Sequence, residues 1–263
     1  MNFSHMWSSA LTQELGIADS TRLFTDARRQ QAVNNGVLMF VDLTECLQCE
    51  STIPSSHGVR EYNLMSTVNV RRGDFLKPAK QLPEYRFTND TGIVTYVTGD
   101  DFPRRDINWL NQYEPGWRNS TGGTPSAYYL RPEGGAYYFG FNTPPEIDSS
   151  ETAKVIFPYI ARPAVMTAST DVPFTINSTV RSDLEPFHMA AVHYGAYELE
   201  KLRVNDQAAQ TQWQLFMSYV ERYLRMLRPK GGLQVRTVRS YFAEARSRRW
   251  TTSDAAIADP WSQ

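Results

Sequence analysis

The sequence predicts an α+β protein: a helical bundle from the N- and C-terminal helices, an inserted antiparallel β-domain, and an extended C-terminal arm. Three observations lead there. Apolar residues recur at the three-four spacing of a buried helix face near both ends of the chain. From Ser51 to about Ser169 the chain turns to short runs rich in Val, Ile, Tyr and Phe, separated by Gly, Pro, Asn and Asp, and this region holds most of the 15 prolines. Beyond Leu227 the helical rhythm stops at Arg228-Pro229-Lys230-Gly231-Gly232, because proline cannot continue a helix and glycines favour leaving one. The resulting division is 1–50 for the N-terminal helices, 51–180 for the β-domain, 181–228 for a C-terminal helical pair and 229–263 for the arm.

The first helix has Ser4 as its expected N-cap and Trp7, Leu11 and Leu15 on one face, ending at Gly16. A longer helix is expected from Thr25 to about Gln48, with Val33, Val37, Phe40, Val41, Thr44 and Leu47 on its buried stripe and Arg28, Arg29 and Gln30 outside it. Asn34-Asn35-Gly36 weakens its middle, since glycine costs about 1 kcal/mol against alanine in a helix. The runs VREYNLMSTVNV, GIVTYVTG, SAYYLR, AYYFGF and AKVIFPYIA read as strands. AYYLRPEGGAYYF reads as a hairpin turning at Pro132-Glu133-Gly134-Gly135. The closing helices are expected at Ser182–Leu202 and Asp206–Leu227.

At 263 residues the chain can bury a full core. A net charge of −1 argues against a protein that coats nucleic acid with its whole surface, yet the charge is segregated. Between Arg222 and Arg249 there are nine Lys or Arg and one acid, Glu244. No apolar run approaches the ~20 residues that span a bilayer. The N-terminal residues lack the basic start and apolar core of a signal peptide. The expectation is a protein without a membrane partner, assembled in a cytoplasm.

Catalytic and metal patterns are weak. Cys46 and Cys49, with His57 beyond, form half a zinc motif with no second half, and on the expected helix both cysteines belong to core packing. His188 and His193 are five apart, about 140° around a helix, whereas chelation from one face needs four. Glu185 is placed to cap or pair with His188. Neither a G-x-S-x-G elbow nor a phosphate loop is present. Asp100, Asp101 and Asp106 read as turn residues rather than a catalytic pair. The tyrosine-rich strands read as core or subunit contacts before they read as a ligand platform. No enzyme, metal or cofactor is expected.

The arm is the exception. Leu233, Val235, Val238, Tyr241 and Phe242 are interleaved with Arg236, Arg239, Arg246, Arg248 and Arg249, and a solvated tail rarely keeps so many large apolar groups. Aromatics and arginine are the side chains enriched at binding hot spots. Charge and pattern alone leave the partner open between an acidic protein surface and a nucleic-acid backbone.

The order of parts resembles the head-to-tail adaptor (connector, or tail-tubular) proteins of tailed bacteriophages. The likeness runs from about residue 5 to 227. It rests on Gln13-Glu14-Leu15-Gly16, Thr25-Asp26-Ala27, Ala32-Val33-Asn34, the aromatic hairpin at 127–141, Thr143-Pro144-Pro145, Phe157-Pro158-Tyr159, Ala161-Arg162-Pro163 and the closing helical pair. The resemblance implies a structural virion protein that forms a ring, typically of twelve copies, under the portal protein. It also implies a tail or nozzle protein as the second partner and a central channel through which DNA passes without specific binding. The arm occupies the place where the family clasps the portal, which assigns portal docking to Leu233, Val235, Arg236, Arg239, Tyr241, Phe242, Arg246, Arg248, Arg249 and Trp250. The stretch from Val70 to Asp106 departs from the pattern and is expected to be a loop that meets a phage-specific neighbour. The competing readings are another capsid or tail component, or a nucleic-acid-binding module that uses the basic arm.

Overall fold

The computed structural model describes residues 1–16, 24–67, 69–70, 74–176 and 179–227. In chain order it contains α1 (Phe3–His5), a π-helical turn (Met6–Ala10), α2 (Leu11–Glu14), α3 (Asp26–Thr44), β1 (Gln48–Ser55), β2 (Glu61–Asn63), β3 (Phe75–Pro78), β4 (Glu84–Thr88) and β5 (Val94–Val97). There follow α4 (Ile107–Tyr113), β6 (Tyr128–Glu133), β7 (Ala136–Phe141), β8 (Thr152–Ala161), β9 (Thr175–Ile176), β10 (Thr179–Val180), α5 (His188–Leu202) and α6 (Asp206–Met226). The protein is therefore mixed α and β with antiparallel sheets. Two compact units divide it: a helical one of Met1–Thr44, Met166–Val172 and the described residues from Ser182 onward, and a β-rich one of Glu45–Val165 and Pro173–Arg181.

Within the helical unit α5 is the central element, packed on α3 and on α6. It crosses α3 at small residues. A Cβ on Gly36 would lie 2.3 Å from the Ala191 carbonyl oxygen, and one on Gly195 would lie 3.2 Å from the Ala32 backbone. Ala32 with Gly36, and Ala191 with Gly195, thus form two facing small-residue pairs that let the backbones touch. This is why the glycine that weakens α3 locally sits at its middle. Its neighbours serve the same junction. Asn34 donates to the Met166 carbonyl (3.1 Å) and accepts from the Met166 N–H (2.9 Å), tying Met166–Val172 to the helix. Asn35 donates to the Glu198 carboxylate (3.0 Å).

On its other flank α5 meets the stripe Ala209, Gln212, Phe216, Val220 and Tyr223 of α6. Tyr194 meets Phe216 edge-on (centroids 5.2 Å), and Phe187 meets both Phe40 (5.7 Å) and Tyr223 (5.3 Å). Asn205 caps α6 by accepting from the Ala208 N–H (3.4 Å).

The β-rich unit has a five-stranded antiparallel sheet in the order β1-β8-β4-β5, with β3 also on β8, and a three-stranded sheet in the order β2-β7-β6. Aromatic rings fill the space between them: Phe139 against Phe157 (5.6 Å), Tyr85 against Phe141 (5.6 Å) and Phe75 against Tyr137 (5.3 Å). The expected core role of the aromatic strands holds for Tyr128, Tyr129, Phe139 and Phe141, which are all buried. Opposite Tyr129 in the β6–β7 ladder is Gly140, and the tyrosine ring lies across it, occupying the place of a side chain: a Cβ there would meet Tyr129 Cζ at 2.2 Å.

Several boundaries differ from the sequence expectation. The N-cap of α1 is Asn2, whose side chain accepts from the His5 N–H (3.1 Å), rather than Ser4. The helix α3 stops at Thr44, four residues early, because Glu45 adopts a left-handed φ of 55°. The cysteines consequently leave the helix: Cys46 is buried in the connection and Cys49 is in β1 opposite Tyr159. Arg29 is buried rather than outside the stripe. Its guanidinium donates to Thr12 Oγ1 (2.7 Å), pairs with Asp26 and lies over the Trp7 ring.

The segment Ser182–Phe187 is 3₁₀ and α5 begins only at His188, since Pro186 removes a donor that a regular α-helix would need. Within the run from Val59 to Val70 the strand β2 spans Glu61–Asn63, after which Asn63 Oδ1 accepts from the Met65 N–H (2.8 Å) and turns the chain. In the aromatic hairpin the strands pair as far as Glu133 with Ala136, so the turn is Gly134-Gly135, both at positive φ. Pro132 is accommodated in β6 because that strand is an outer one. Within Val70 to Asp106 the structure bears out GIVTYVTG as β5, and the remainder, expected to be a loop, also forms β3 and β4.

Candidate assembly surfaces

All ten arm residues assigned to portal docking, Leu233 through Trp250, lie outside the described residues. The described chain reaches the root of that arm. There α6 ends with Met226 and Leu227 exposed, Arg225 pairs with Glu221 (3.1 Å), and Arg222 lies over the Phe187 ring. The last turn of α6 is thus an apolar and cationic surface from which residues 228 onward continue.

The two histidines serve the interior. Nδ1 of His193 is 2.8 Å from Gln212 Oε1, Gln212 Nε2 donates to Glu14 (3.0 Å), and the imidazole stacks on Tyr219. With Nδ1 carrying the proton, this chain of bonds links α5, α6 and α2. His188 is buried with Nδ1 at 3.1 Å from the Met1 amino group. Burial foremost, with the amino-terminal charge beside it and Glu185 in opposition, lowers its pKa to about 4. Glu185 is 3.9 Å from the Met1 ammonium.

The remaining sequence candidates also have structural tasks. His57 accepts from the Ile147 N–H through Nδ1 (3.2 Å), and Asp106 caps α4 by accepting from the Asn108 N–H (2.7 Å). Among the described residues no group of three or more His, Cys, Asp or Glu is arranged to hold a metal ion. No described helix is long and apolar enough to cross a membrane.

Two constellations escaped the sequence reading. In the helical unit an open groove between α3 and α5 is lined by Arg28, Asn35, Tyr194, Tyr197, Glu198 and Leu202. Burial raises the Glu198 pKa against hydrogen bonds from Asn35 and Tyr194, and burial together with the Glu198 charge pushes Tyr194 up to about 12. In the β-rich unit, arginines lie over the tryptophans around α4. Arg105 covers Trp109 (4.3 Å), Trp109 packs on the exposed Tyr113, and Arg60 and Arg118 both lie over Trp117. Arg60 also donates to the carbonyls of Asn142 (3.1 Å) and Ser120 (2.9 Å), so it locks the 117–120 segment to the end of β7. Composition alone signals neither, because the partners of each arginine come from different elements. Chemically, these surfaces offer stacking, ion pairing and apolar contact, the vocabulary of subunit association.

The sequence profile of the SU10 adaptor protein family matches residues 1–252. The chain belongs to the SU10 adaptor protein family. The match spans both units and agrees with the resemblance to phage head-to-tail adaptors. No curated protein matches the chain.

Proposed function

We propose that this SU10 adaptor family member is a structural head-to-tail adaptor of a tailed phage. Twelve copies form a ring under the portal protein, join the capsid vertex to the tail or nozzle protein and surround the DNA channel. In this reading the helical unit is a bundle that bears the inserted β-domain, and the virion neck is assembled in the host cytoplasm. The observation that carries the reading is the family match over residues 1–252. Physical chemistry supports it. Closing a ring repeats one modest contact at high effective concentration, so each subunit interface need not be large. A near-neutral chain with a segregated basic arm suits a channel that lets DNA pass, because every neutralised phosphate adds salt-dependent affinity.

The arm is the portal clasp. Tyr241, Phe242 and Trp250 anchor it, and Arg236, Arg239, Arg246, Arg248 and Arg249 supply orientation and encounter rate. Deleting residues 229–263 leaves a folded subunit that no longer attaches to portal rings, as scored by electron microscopy of mixtures. Unchanged attachment of the truncated chain would remove the clasp. Steeply salt-dependent DNA binding that disappears when those arginines are neutralised would favour a nucleic-acid module instead.

A further inference from the structure

The outer strand β5 is largely exposed. It pairs only with β4 among the described strands. Ile93 is 64% exposed, Tyr96 57% and Val94 40%. In an antiparallel ladder alternate residues turn their N–H and C=O away from the partner strand. The Asn89 N–H donates to the Ile93 carbonyl (3.1 Å), which sets Ile93, Thr95 and Val97 toward β4. Val94 and Tyr96 therefore present their backbone groups to the open side.

Edge strands are commonly guarded by proline, charge, a bulge or a covering segment. The opposite edge of this sheet, β1, has such guards. Pro54 lacks a donor, and the Ser51 hydroxyl donates to the Asn69 carbonyl (2.8 Å), which brings Asn69 against it. Between Thr91 and Gly99 the β5 segment has no proline and no charged residue, and its register with β4 is unbroken. It is also held ready. Asn89 Oδ1 accepts from the Ile93 N–H and the Thr91 hydroxyl (2.8 Å each), and Gly92 turns the hairpin at a φ of 80°.

The charge around this edge is one-sided. From Phe87 to Pro103 there are three acids, Asp90, Asp100 and Asp101, all exposed, and no Lys or Arg. Asp90 stands at the hairpin turn, and the other two follow the far end of the strand. Of the flanking cations, Arg86 is paired with Glu84 and lies over the Tyr96 ring, Arg105 lies over Trp109, and the exposed Arg104 follows Asp101 by three residues.

We propose that β5 is a docking edge for an extended polypeptide segment of a partner protein, basic at its ends, which adds to the sheet as a further strand. Its backbone bonds Val94 and Tyr96, its apolar side chains cover Ile93 and Tyr96, and its terminal cations face Asp90 at one end and Asp100 and Asp101 at the other. The same aspartates repel phosphate, which excludes a nucleic acid from this edge. The assignment stands apart from the portal-clasp reading of the arm, since it uses only residues 84–101.

The test uses the full chain and a fluorescent peptide of alternating valine and threonine carrying lysines at both ends. A counterpart carrying glutamates serves as its control. The lysine peptide binds and the glutamate peptide does not. Tyr96→Pro removes an outward N–H without touching the bonds to β4, and weakens binding about ten-fold or more while the far-ultraviolet circular dichroism is retained. The double change Asp90→Lys with Asp100→Lys leaves the strand backbone intact and inverts the preference toward the glutamate peptide. It decides the matter alone if Tyr96→Pro does not fold. Equal binding of both peptides, or displacement of the lysine peptide by a single-stranded oligonucleotide, overturns the proposal. So does self-association of the wild-type chain that Tyr96→Pro abolishes, which would give the edge to a second copy.

Discussion

Replacing Gly36 by alanine tests whether the helical unit is held by backbone contact between α3 and α5. In an unhindered helix this change is favourable by about 1 kcal/mol, because alanine loses less backbone freedom on folding. Here the added methyl would sit 2.3 Å from the Ala191 oxygen and 2.8 Å from its Cα, and both belong to a backbone that cannot rotate aside. An ordinary contact is about 3.5 Å, so the helices must separate by about 1 Å locally. That separation forfeits dispersion along the crossing and strains the Asn35–Glu198 and Asn34–Met166 bonds on either side. Overpacking of this kind costs roughly 1–3 kcal/mol or more, and backbone against backbone lies at the upper end. After the propensity gain, the expected net loss is about 2 kcal/mol, or roughly 4–8 °C in Tm for a chain of this size. Urea titration followed by helical circular dichroism measures it. Gly195→Ala, whose nearest contact is 3.2 Å, should lose less. A Gly36→Ala protein at or above wild-type stability would refute the close crossing.

Three further outcomes follow from the same geometry. His188 has a folded pKa of about 4 against about 6.5 unfolded, so the unfolded chain takes up its proton first. Its contribution to stability is complete above pH ~6.5 and falls by at most about 1.4 kcal/mol per unit as pH drops toward 4; His188→Gln should flatten that part of the pH–stability curve. Val204, at the C′ position after α5, is 82% exposed with φ of 61°, a left-handed conformation disfavoured for a β-branched residue. Val204→Gly should raise stability by about 1 kcal/mol, seen as a higher Tm; a lower Tm would deny the strain. Gly140→Ala would drive the Tyr129 ring off β7 and pull its hydroxyl from Glu61 (2.7 Å), costing about 2 kcal/mol by urea titration. Tyr129→Phe, which keeps the ring, should cost only about 1 kcal/mol.

The sequence alone determined the features whose signals are local. The three-four stripe of α6, the stop at Gly16, the paired aromatic strands of β6 and β7, and the family resemblance were legible because periodicity and turn chemistry act over a few residues. Tertiary structure decided what depends on distant partners. The end of α3 rests on a left-handed Glu45, a conformation no residue type announces there. Arg29 reads as a solvent-exposed cation until Thr12, Asp26 and Trp7 surround it. Gly36 reads as a flaw in a helix until α5 arrives against it. After Val70, β3 and β4 read as a loop because they are short and pair with β8, which lies far along the chain. In each case the energy that fixes the conformation comes from a segment remote in sequence, and a local pattern carries no record of it.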